Sequence, residues 1–265
     1  MAAPDQYRFE GEDLGDWFAA QIQAQIDDMN ANGIKFAGFL ADSIFSSDGV
    51  IPNPIGFLKK AVDVVHANGG IFIADEVQPG FARTGDSFWG FGRHGVVPDI
   101  ITTGKPMGNG IPVSGLLAKD HVLSAFSQKI PYFNTFGGNP VAMAAAQAVL
   151  KTIQEEELQA HSQRLGGLLL TELRKLMEKY DCVGDVRGAG LFIGFELVQD
   201  RFTKMPDKAL ALDLIEELRN THRVLTSVAG PYGNVLKLRP PLVFQEKDID
   251  WLVGALDQAL SKLQK

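Results

Sequence analysis

Two apolar runs separated by one amphipathic stretch are the feature that most restricts the fold of this chain. The pattern predicts a buried strand over residues 34–41 and a second strand over residues 71–74, directly before Asp75. Between them, Pro54 can open a helix with one apolar face, and Gly69-Gly70 can end it. Strand, helix and strand in this order predict a parallel α/β unit with a right-handed crossover.

The rest of the first 150 residues extends this pattern. A single apolar stripe predicts a helix over residues 13–32, and further strands are expected over residues 99–103 and 113–118. Asp75 and Lys105 then each follow a predicted strand. Because ligands of open α/β sheets bind at the carboxyl ends of the strands, we expect both side chains near one ligand site.

From Asn139 onwards, longer helices dominate the pattern. The expected elements are helices over residues 140–153, 155–180, 207–220 and 248–263, and strands over residues 190–198 and 234–238. Gly166-Gly167 fall inside the second of these helices, where each glycine costs roughly 1 kcal/mol, so close packing is expected there. This organisation predicts a large domain over residues 1–150 and a small α+β domain over residues 151–265.

Composition argues against several classes of protein. The 265 residues are 45% hydrophobic and 22% charged, and the formal charge of −7 argues against nucleic acid as a partner. No apolar run approaches 18 residues, so no membrane span is expected. The single cysteine, Cys182, fits a cytoplasmic location, and the five histidines lack the spacing of metal ligands.

Taken alone, neither Asp75 nor Lys105 identifies a function. An acid after a strand is most often a cap or turn residue, and most lysines in loops are simply solvated. A Walker-type phosphate loop around Lys105 is excluded, because it requires glycine at position 99 and serine or threonine at position 106, where the chain has Asp99 and Pro106. The function has to be inferred from the whole series of motifs.

That series resembles the class III aminotransferases in order and spacing, from about Tyr7 to the end of the chain. The matching motifs are Asp75-Glu76-Val77-Gln78, Gly80-Phe81-Ala82-Arg83-Thr84-Gly85, Gly104-Lys105, Tyr132-Phe133-Asn134-Thr135-Phe136-Gly137-Gly138-Asn139-Pro140, Arg187-Gly188-Ala189-Gly190 and Leu236-Lys237-Leu238-Arg239-Pro240-Pro241. The resemblance implies the α/β fold of the fold type I transferases that depend on pyridoxal 5'-phosphate (PLP). It also implies a partial large domain with a mainly parallel sheet and a small C-terminal α+β domain.

The resemblance further implies roles for individual side chains. Lys105 would form an imine with the cofactor and move the substrate proton, and Asp75 would keep the pyridine nitrogen of PLP protonated. Val77 would pack on one face of the ring, and Gln78 would contact the ring hydroxyl. Asp42 occupies a cofactor-binding position where the family usually has glutamate, which is one methylene longer.

Three more positions concern the neighbouring subunit and the substrate. Thr135 would reach the cofactor phosphate of a second subunit, which implies a homodimer, although a turn hydroxyl is the alternative. Lys237 falls where many members have an arginine for the substrate carboxylate. Lys237 or Arg239 could hold a carboxylate or a phosphate, and the alternative for Arg239 is a surface ion pair.

The motifs are closest to the subfamily of alanine–glyoxylate aminotransferase-like proteins and ethanolamine-phosphate phospho-lyases. The expected reaction transfers an amino group between an amine or amino acid and a keto acid. The alternatives are elimination of phosphate from a phosphorylated amine and a catalytically incompetent fragment. Complete members carry a Gly/Ser-rich phosphate loop ahead of the first strand, and residues 1–33 contain none. The chain is therefore expected to correspond to the C-terminal two-thirds of the family pattern.

Overall fold

The computed structural model describes residues 1–264, which fold into seven α-helices and nine β-strands. The helices are α1 (Leu14–Ala31), α2 (Phe57–Ala67), α3 (Asp120–Ser127), α4 (Pro140–Glu155), α5 (Leu158–Lys179), α6 (Lys208–His222) and α7 (Glu246–Leu263). The strands are β1 (Gly38–Asp42), β2 (Ile71–Asp75), β3 (Ile100–Thr103), β4 (Gly115–Ala118), β5 (Val183–Ala189), β6 (Phe192–Asp200), β7 (Met205–Pro206), β8 (Ser227–Ala229) and β9 (Val235–Leu238). Two short 3-10 helices cover Gly90–His94 and Lys105–Gly108.

The first sheet has the strand order β1-β2-β3-β4, with β1, β2 and β3 parallel and β4 antiparallel to β3. Its helix crossover, α2, joins β1 to β2, so the parallel α/β unit predicted from the sequence is confirmed. Asp42 and Asp75 are the last residues of β1 and β2 and face each other in register. Lys105 comes two residues after the end of β3, at the same edge of the sheet.

One apolar core supports this sheet. Asp13 is the N-cap of helix α1, and its side chain accepts a hydrogen bond from the backbone N–H of Asp16 at 2.9 Å. The fully buried side chains of this core come from α1, α2 and β2: Phe18, Ile26, Leu58, Ala61, Val65, Phe72 and Ala74. Because this packing lies under the strands, it fixes the carboxyl ends of β1 and β2 without occupying them.

The second sheet is antiparallel, in the order β5-β6-β9-β8, and β7 pairs with β6. A separate core joins it to α5, α6 and α7 through the buried side chains of Leu169, Leu173, Phe195, Leu214 and Leu256. This sheet and its helices match the α+β character expected for the second half. The division of the chain at residue 150 stays a prediction.

Two predicted elements begin later than the sequence pattern suggests. Strand β1 begins at Gly38 instead of residue 34, because its ladder with β2 starts at the pair Gly38 and Ile71. Before Gly38, only the Ala37 carbonyl oxygen bonds to β2, through the Ile71 N–H at 3.1 Å, and Ile34 is exposed. Helix α2 begins at Phe57 instead of Pro54, because Gly56 has a left-handed φ of 91° that no α-helix accommodates.

Candidate active site

A cavity of 470 Å³ opens at the carboxyl ends of β1 and β2. Its lining includes five of the residues predicted for the site: Asp42, Asp75, Val77, Gln78 and Lys105. The predicted acid and the predicted nucleophile therefore line one cavity, although 30 residues separate them in the chain. The volume lies within the range of cavities that hold small organic ligands, about 300–1,000 Å³.

Three aspartates line this cavity, and two of them, Asp42 and Asp75, lie side by side at the ends of paired strands. The Asp75 carboxylate accepts a hydrogen bond from the backbone N–H of Val77 at 3.0 Å. The Asp42 carboxylate accepts hydrogen bonds from the backbone N–H groups of Ile44, at 2.9 Å, and Ser46, at 3.1 Å, and from the Ser46 hydroxyl. Loss of hydration raises the pKa of Asp42 in spite of these bonds, and nearby Asp75 adds to the effect. Two neighbouring carboxylates at this edge of the sheet favour the binding of a cationic group in the cavity.

Lys105 lies at the open side of the cavity and is exposed. Its backbone has a φ of 33°, which falls in the left-handed region, and it begins the 3-10 helix Lys105–Gly108. A non-glycine residue in this conformation typically costs about 1–3 kcal/mol, and such residues cluster at functional sites. The turn after β3 thus presents this ammonium group to the cavity at an energetic cost.

A second cavity of 460 Å³ shares Ser47, Val77, Gln78 and Lys105 with the first. Its lining also contains Arg83, Pro106, Lys237 and Arg239. Four of its lining residues are basic, and no acidic residue lines this cavity. Desolvation lowers the pKa of Lys237, and the charges of Arg239 and Lys105 lower it further, while Asp42 opposes them. A cavity with this charge favours an anionic ligand.

Gln78 connects the two cavities. Its Nε2 donates a hydrogen bond to the Ser46 hydroxyl, and its Oε1 accepts one from Arg239 Nη1 at 2.8 Å. Ser46 in turn contacts Asp42, so one chain of hydrogen bonds runs from the acidic cavity to the basic cavity. The surface ion pair considered for Arg239 is not observed among the described residues, because this side chain binds an amide oxygen.

Thr135 lies outside both cavities. It is exposed in the segment between α3 and α4, and it does not belong to the lining of either cavity. A single chain therefore does not bring Thr135 to Lys105 and Asp75. The prediction that it serves a neighbouring subunit stays a prediction.

Two site residues were missed by the sequence reasoning. Glu76 is fully buried, and burial raises its pKa to about 7 in spite of three hydrogen bonds. The alternation of side chains along the strand could have revealed Glu76. If Asp75 faces the cavity, Glu76 faces the opposite, buried side and needs hydrogen-bond donors there. Arg83 was quoted only as part of a motif.

Arg83 joins the two halves of the chain behind the basic cavity. Its Nη1 donates to the carbonyl oxygen of Leu191 at 3.3 Å and to that of Pro240, the residue after Arg239. Desolvation, followed by the charge of Arg239, lowers the pKa of Arg83 to about 10. Its sequence position gave no indication of these contacts, because both acceptors lie more than 100 residues away.

Comparison with known proteins decides the family. The family described as Aminotransferase class-III matches residues 2–260. The chain belongs to the class III aminotransferases. This family depends on PLP, and its members have the fold type I architecture, so the α/β fold class and the family expected from the sequence are confirmed.

Individual class III proteins are similar over most of this chain. An alanine–glyoxylate aminotransferase 2-like protein of Drosophila melanogaster is 44% identical over 244 residues, which are 91% of this chain and 49% of that protein. An ethanolamine-phosphate phospho-lyase homolog 1 of Caenorhabditis elegans is 40% identical over 253 residues, which are 95% of this chain and 54% of that protein. A solved phospholyase from Arthrobacter, in complex with phosphoethanolamine, has a TM-score of 0.89 and 40% identity.

The class III chain described here spans about half the length of the relatives it matches. It covers 58% of the solved Arthrobacter chain, and 94% of its own length is aligned there. Within residues 1–264, no helix is long and apolar enough to cross a bilayer. No group of three or more His, Cys, Asp or Glu side chains that could hold a metal ion occurs in that part of the chain. Cys182 is buried, and desolvation raises its pKa, which favours the thiol.

Proposed function

We propose that this chain carries the lysine, the pyridinium partner and the substrate-anion site of a PLP-dependent aminotransferase. The observation that carries the proposal is that Asp75 and Lys105 line one cavity at the carboxyl edge of a parallel sheet. The donor set fits PLP. Asp75 offers a carboxylate to the ring nitrogen, Val77 an apolar surface and Gln78 a polar contact, and Lys105 offers an amine to the aldehyde carbon. When bound, PLP supplies an electron sink for the α-carbon of the substrate.

Lys105 has the position needed for the proton steps. Its Nζ can take a proton from a substrate carbon in the cavity and return it to another atom, since it is attached through a flexible four-carbon side chain. A second lysine, Lys237, lines the basic cavity together with Lys105. Desolvation lowers the pKa of Lys237, and the charges of Arg239 and Lys105 lower it further. The position of Lys105 in both cavities supports it as the base.

The basic cavity is the proposed site for the substrate anion. Lys237 and Arg239 line it together with Lys105, so an anion held there lies next to the reacting amine. Arg239 has its Nη1 bound to Gln78, while Lys237 can offer its three N–H donors as a point charge. A carboxylate or a phosphate satisfies both groups.

Phosphate elimination from a phosphorylated amine is a second candidate, and a specific observation favours it. Four basic residues line one cavity without an acid among its lining residues, which suits a dianionic phosphate better than a single carboxylate. Two similar proteins carry the words phospho-lyase or phospholyase in their names, and a third is named an aminotransferase. A fragment without turnover is the third possibility.

We further propose a homodimer in which Thr135 contributes to the site of the second subunit. Its support is that Thr135 is exposed and lies apart from the cavities of its own chain. A cytoplasmic location is proposed from the single buried cysteine. The proposed small-molecule partners are an amine or amino acid and a keto acid.

Borohydride reduction tests the proposed function. The purified chain is mixed with PLP, reduced and digested, and the labelled peptide is identified by mass spectrometry. We expect one label on Lys105 and none in the Lys105→Ala variant. Lys129→Ala, which alters a lysine outside both cavity linings, serves as the control. Labels spread evenly over surface lysines, unchanged by Lys105→Ala, would contradict the proposal. Phosphate release from phosphoethanolamine, measured against keto-acid formation, then separates the two reactions.

A further inference from the structure

A buried polar cluster lies directly behind Asp42 and Asp75. We call Ser43, Glu76, Gly90, Phe91 and His94 the anchor cluster. Ser43 and Glu76 are fully buried, and His94 is 2% exposed. Ser43 follows Asp42 in the chain, and Glu76 follows Asp75, so each of these two acids is covalently attached to a member of the cluster.

Glu76 is the centre of this cluster. Its carboxylate accepts hydrogen bonds from Ser43 Oγ at 3.0 Å, from the backbone N–H of Gly90 at 2.6 Å and from that of Phe91 at 2.9 Å. A Cβ atom at position 90 would lie 2.5 Å from Ser43 Oγ, so only glycine lets the backbone approach this closely. Above its raised pKa of about 7 the Glu76 carboxylate is ionised, and its three hydrogen bonds are then charge-assisted and stronger than neutral ones.

His94 completes the cluster. Its Nε2–H donates to the carbonyl oxygen of Ser43 at 2.8 Å, and its Nδ1 accepts from the backbone N–H of Gly56 at 3.1 Å. The contacts require a neutral ring with its proton on Nε2, which agrees with a pKa that burial lowers to about 4. Ser43 is thus held through both its side chain and its backbone.

Strand geometry transmits this anchoring to the cavity. Glu76 directly follows the last residue of β2 and continues its alternation, since Phe72, Ala74 and Glu76 are all buried on one side. A fixed Glu76 side chain therefore directs Asp75 the other way, into the cavity. The backbone N–H of Glu76 also bonds to the carbonyl oxygen of Thr102 at 2.9 Å, which ties the same residue to β3. We propose that Glu76 is a positioning residue that fixes the Asp75 carboxylate for its partner in the cavity. For the identity of that partner, the inference rests on the proposed function.

Four variants test this inference. Glu76→Gln keeps the size of the side chain but leaves one acceptor oxygen for three donors. Ser43→Ala removes a single hydroxyl from the same cluster and covers the case in which Glu76→Gln does not fold. Asp75→Asn is the positive control. Asp99→Asn is the matched structural control, because Asp99 is also a buried carboxylate with three donors, but it binds the opposite end of β2 through the Phe72 N–H at 2.8 Å.

The first readout needs no cofactor. The Val77 N–H donates to Asp75, so hydrogen–deuterium exchange in the peptide that contains Val77 reports whether this carboxylate is in place. We expect exchange there to become about fivefold faster or more in Glu76→Gln and in Ser43→Ala, from the loss of one buried hydrogen bond. In Asp99→Asn we expect faster exchange at Phe72 and the same exchange rate at Val77 as in wild type. Equal exchange at Val77 in all these variants would overturn the inference.

The second readout uses bound PLP. We expect Glu76→Gln to weaken PLP binding about fivefold or more and to shift the pH at which the visible absorption of bound PLP changes. The shift should have the same direction as in Asp75→Asn and be absent in Asp99→Asn. A Glu76→Gln protein that matches Asp99→Asn in affinity and spectrum would also overturn the inference. If wild type binds no PLP, the proposed function fails, while the exchange at Val77 still decides the role of Glu76.

Discussion

At the scale of single residues, negative and positive side chains line two adjoining cavities. Asp42 and Asp75 line the first cavity, while Lys237, Arg239 and Arg83 line the second, and Lys105 belongs to both. A ligand with a cationic ring and a neighbouring anion can satisfy both cavities at once. The hydrogen bond between Gln78 and Arg239 lies at the boundary between them.

Arg239 allows a direct test of the basic cavity. Replacing Arg239 with methionine removes a guanidinium from the lining, so we expect the affinity for inorganic phosphate to fall about tenfold or more. Isothermal titration calorimetry measures the dissociation constant. Arg219→Met is the control, because Arg219 is exposed on α6 and its side chain bonds to adjacent Asn220. Identical affinities of the two variants would show that phosphate does not bind in the basic cavity.

Asp99 predicts a specific dependence of stability on pH. Desolvation alone would raise its pKa, but hydrogen bonds from Lys119, the Phe72 N–H and His66 outweigh it and lower the pKa to about 2. A pKa lowered by folding stabilises the native state above the unfolded value of 3.8, and this contribution is lost as the pH falls towards 2.

Urea unfolding at several pH values measures this contribution. We expect the free energy of unfolding of wild type to fall between about pH 4 and pH 2 more steeply than that of Asp99→Asn. Asp63→Asn is the control, since Asp63 is exposed and pairs with Lys59 on the surface of α2. Parallel curves for wild type and Asp99→Asn would contradict the assignment.

At the scale of secondary-structure elements, α5 and the turn between β5 and β6 approach each other through glycine. A Cβ atom on Gly166 would lie 2.1 Å from the carbonyl oxygen of Gly190, whereas one on Gly167 would meet nothing within 4 Å. The close packing expected from the two interior glycines is therefore present at Gly166 and absent at Gly167.

These adjacent glycines form a matched pair for mutation. We expect Gly166→Ala to lower the free energy of unfolding by about 1–3 kcal/mol, because the added methyl group forces the helix away from Gly190. Gly167→Ala should raise it by up to about 1 kcal/mol, because alanine has the higher helix propensity. Chemical denaturation of both variants measures the difference. Equal effects would mean that α5 can shift freely against the turn.

The elements that the sequence predicted share a continuous pattern. Strand β2 is an apolar run that follows two glycines and ends in an acid, and α1 has a single apolar stripe. Both elements can therefore be predicted from the local sequence alone. Strand β5 was not predicted, because its residues mix glycine, aspartate and arginine, and it exists only through its ladder with β6. The short strand β8 and helix α3 were missed for the same reason, since neither carries a long periodic pattern.

At the scale of the whole molecule, apolar side chains gather on the exposed segment around Thr135. Tyr132, Phe133 and Phe136 are 73%, 85% and 80% exposed, and Val141 at the start of α4 is 72% exposed. Exposed apolar surface of this kind marks an interface between proteins. The segment is therefore suited to a second subunit, as the proposed role of Thr135 requires.

This interface can be tested by changing its charge. We expect the double variant Phe133→Glu/Phe136→Glu to shift the protein towards the monomer, because each carboxylate would have to be buried at the interface. Sedimentation velocity at several concentrations measures the distribution. Phe202→Glu is the control, since Phe202 is 93% exposed but lies in the second half of the chain, between β6 and β7. An unchanged distribution in the double variant would place the subunit contact elsewhere.

The candidate site was predictable where its residues follow strands or belong to motifs. Asp42, Asp75 and Lys105 come after apolar runs whose parallel pairing brings their ends together. Glu76 and Arg83 were assigned no role, because most of their partners are backbone groups that only the folded chain brings near. The role proposed for Thr135 requires a second subunit, which no pattern within one chain can position.

The left-handed backbone at Lys105 has a practical consequence for anyone who wishes to make this protein more stable. A search for positions where glycine would relax an unfavourable φ would include residue 105, because its φ is 33°. That substitution would delete the proposed reactive amine. Substitutions that raise thermal stability should be sought at positions such as Gly167, where an added side chain meets no neighbouring atom and no proposed site residue is changed.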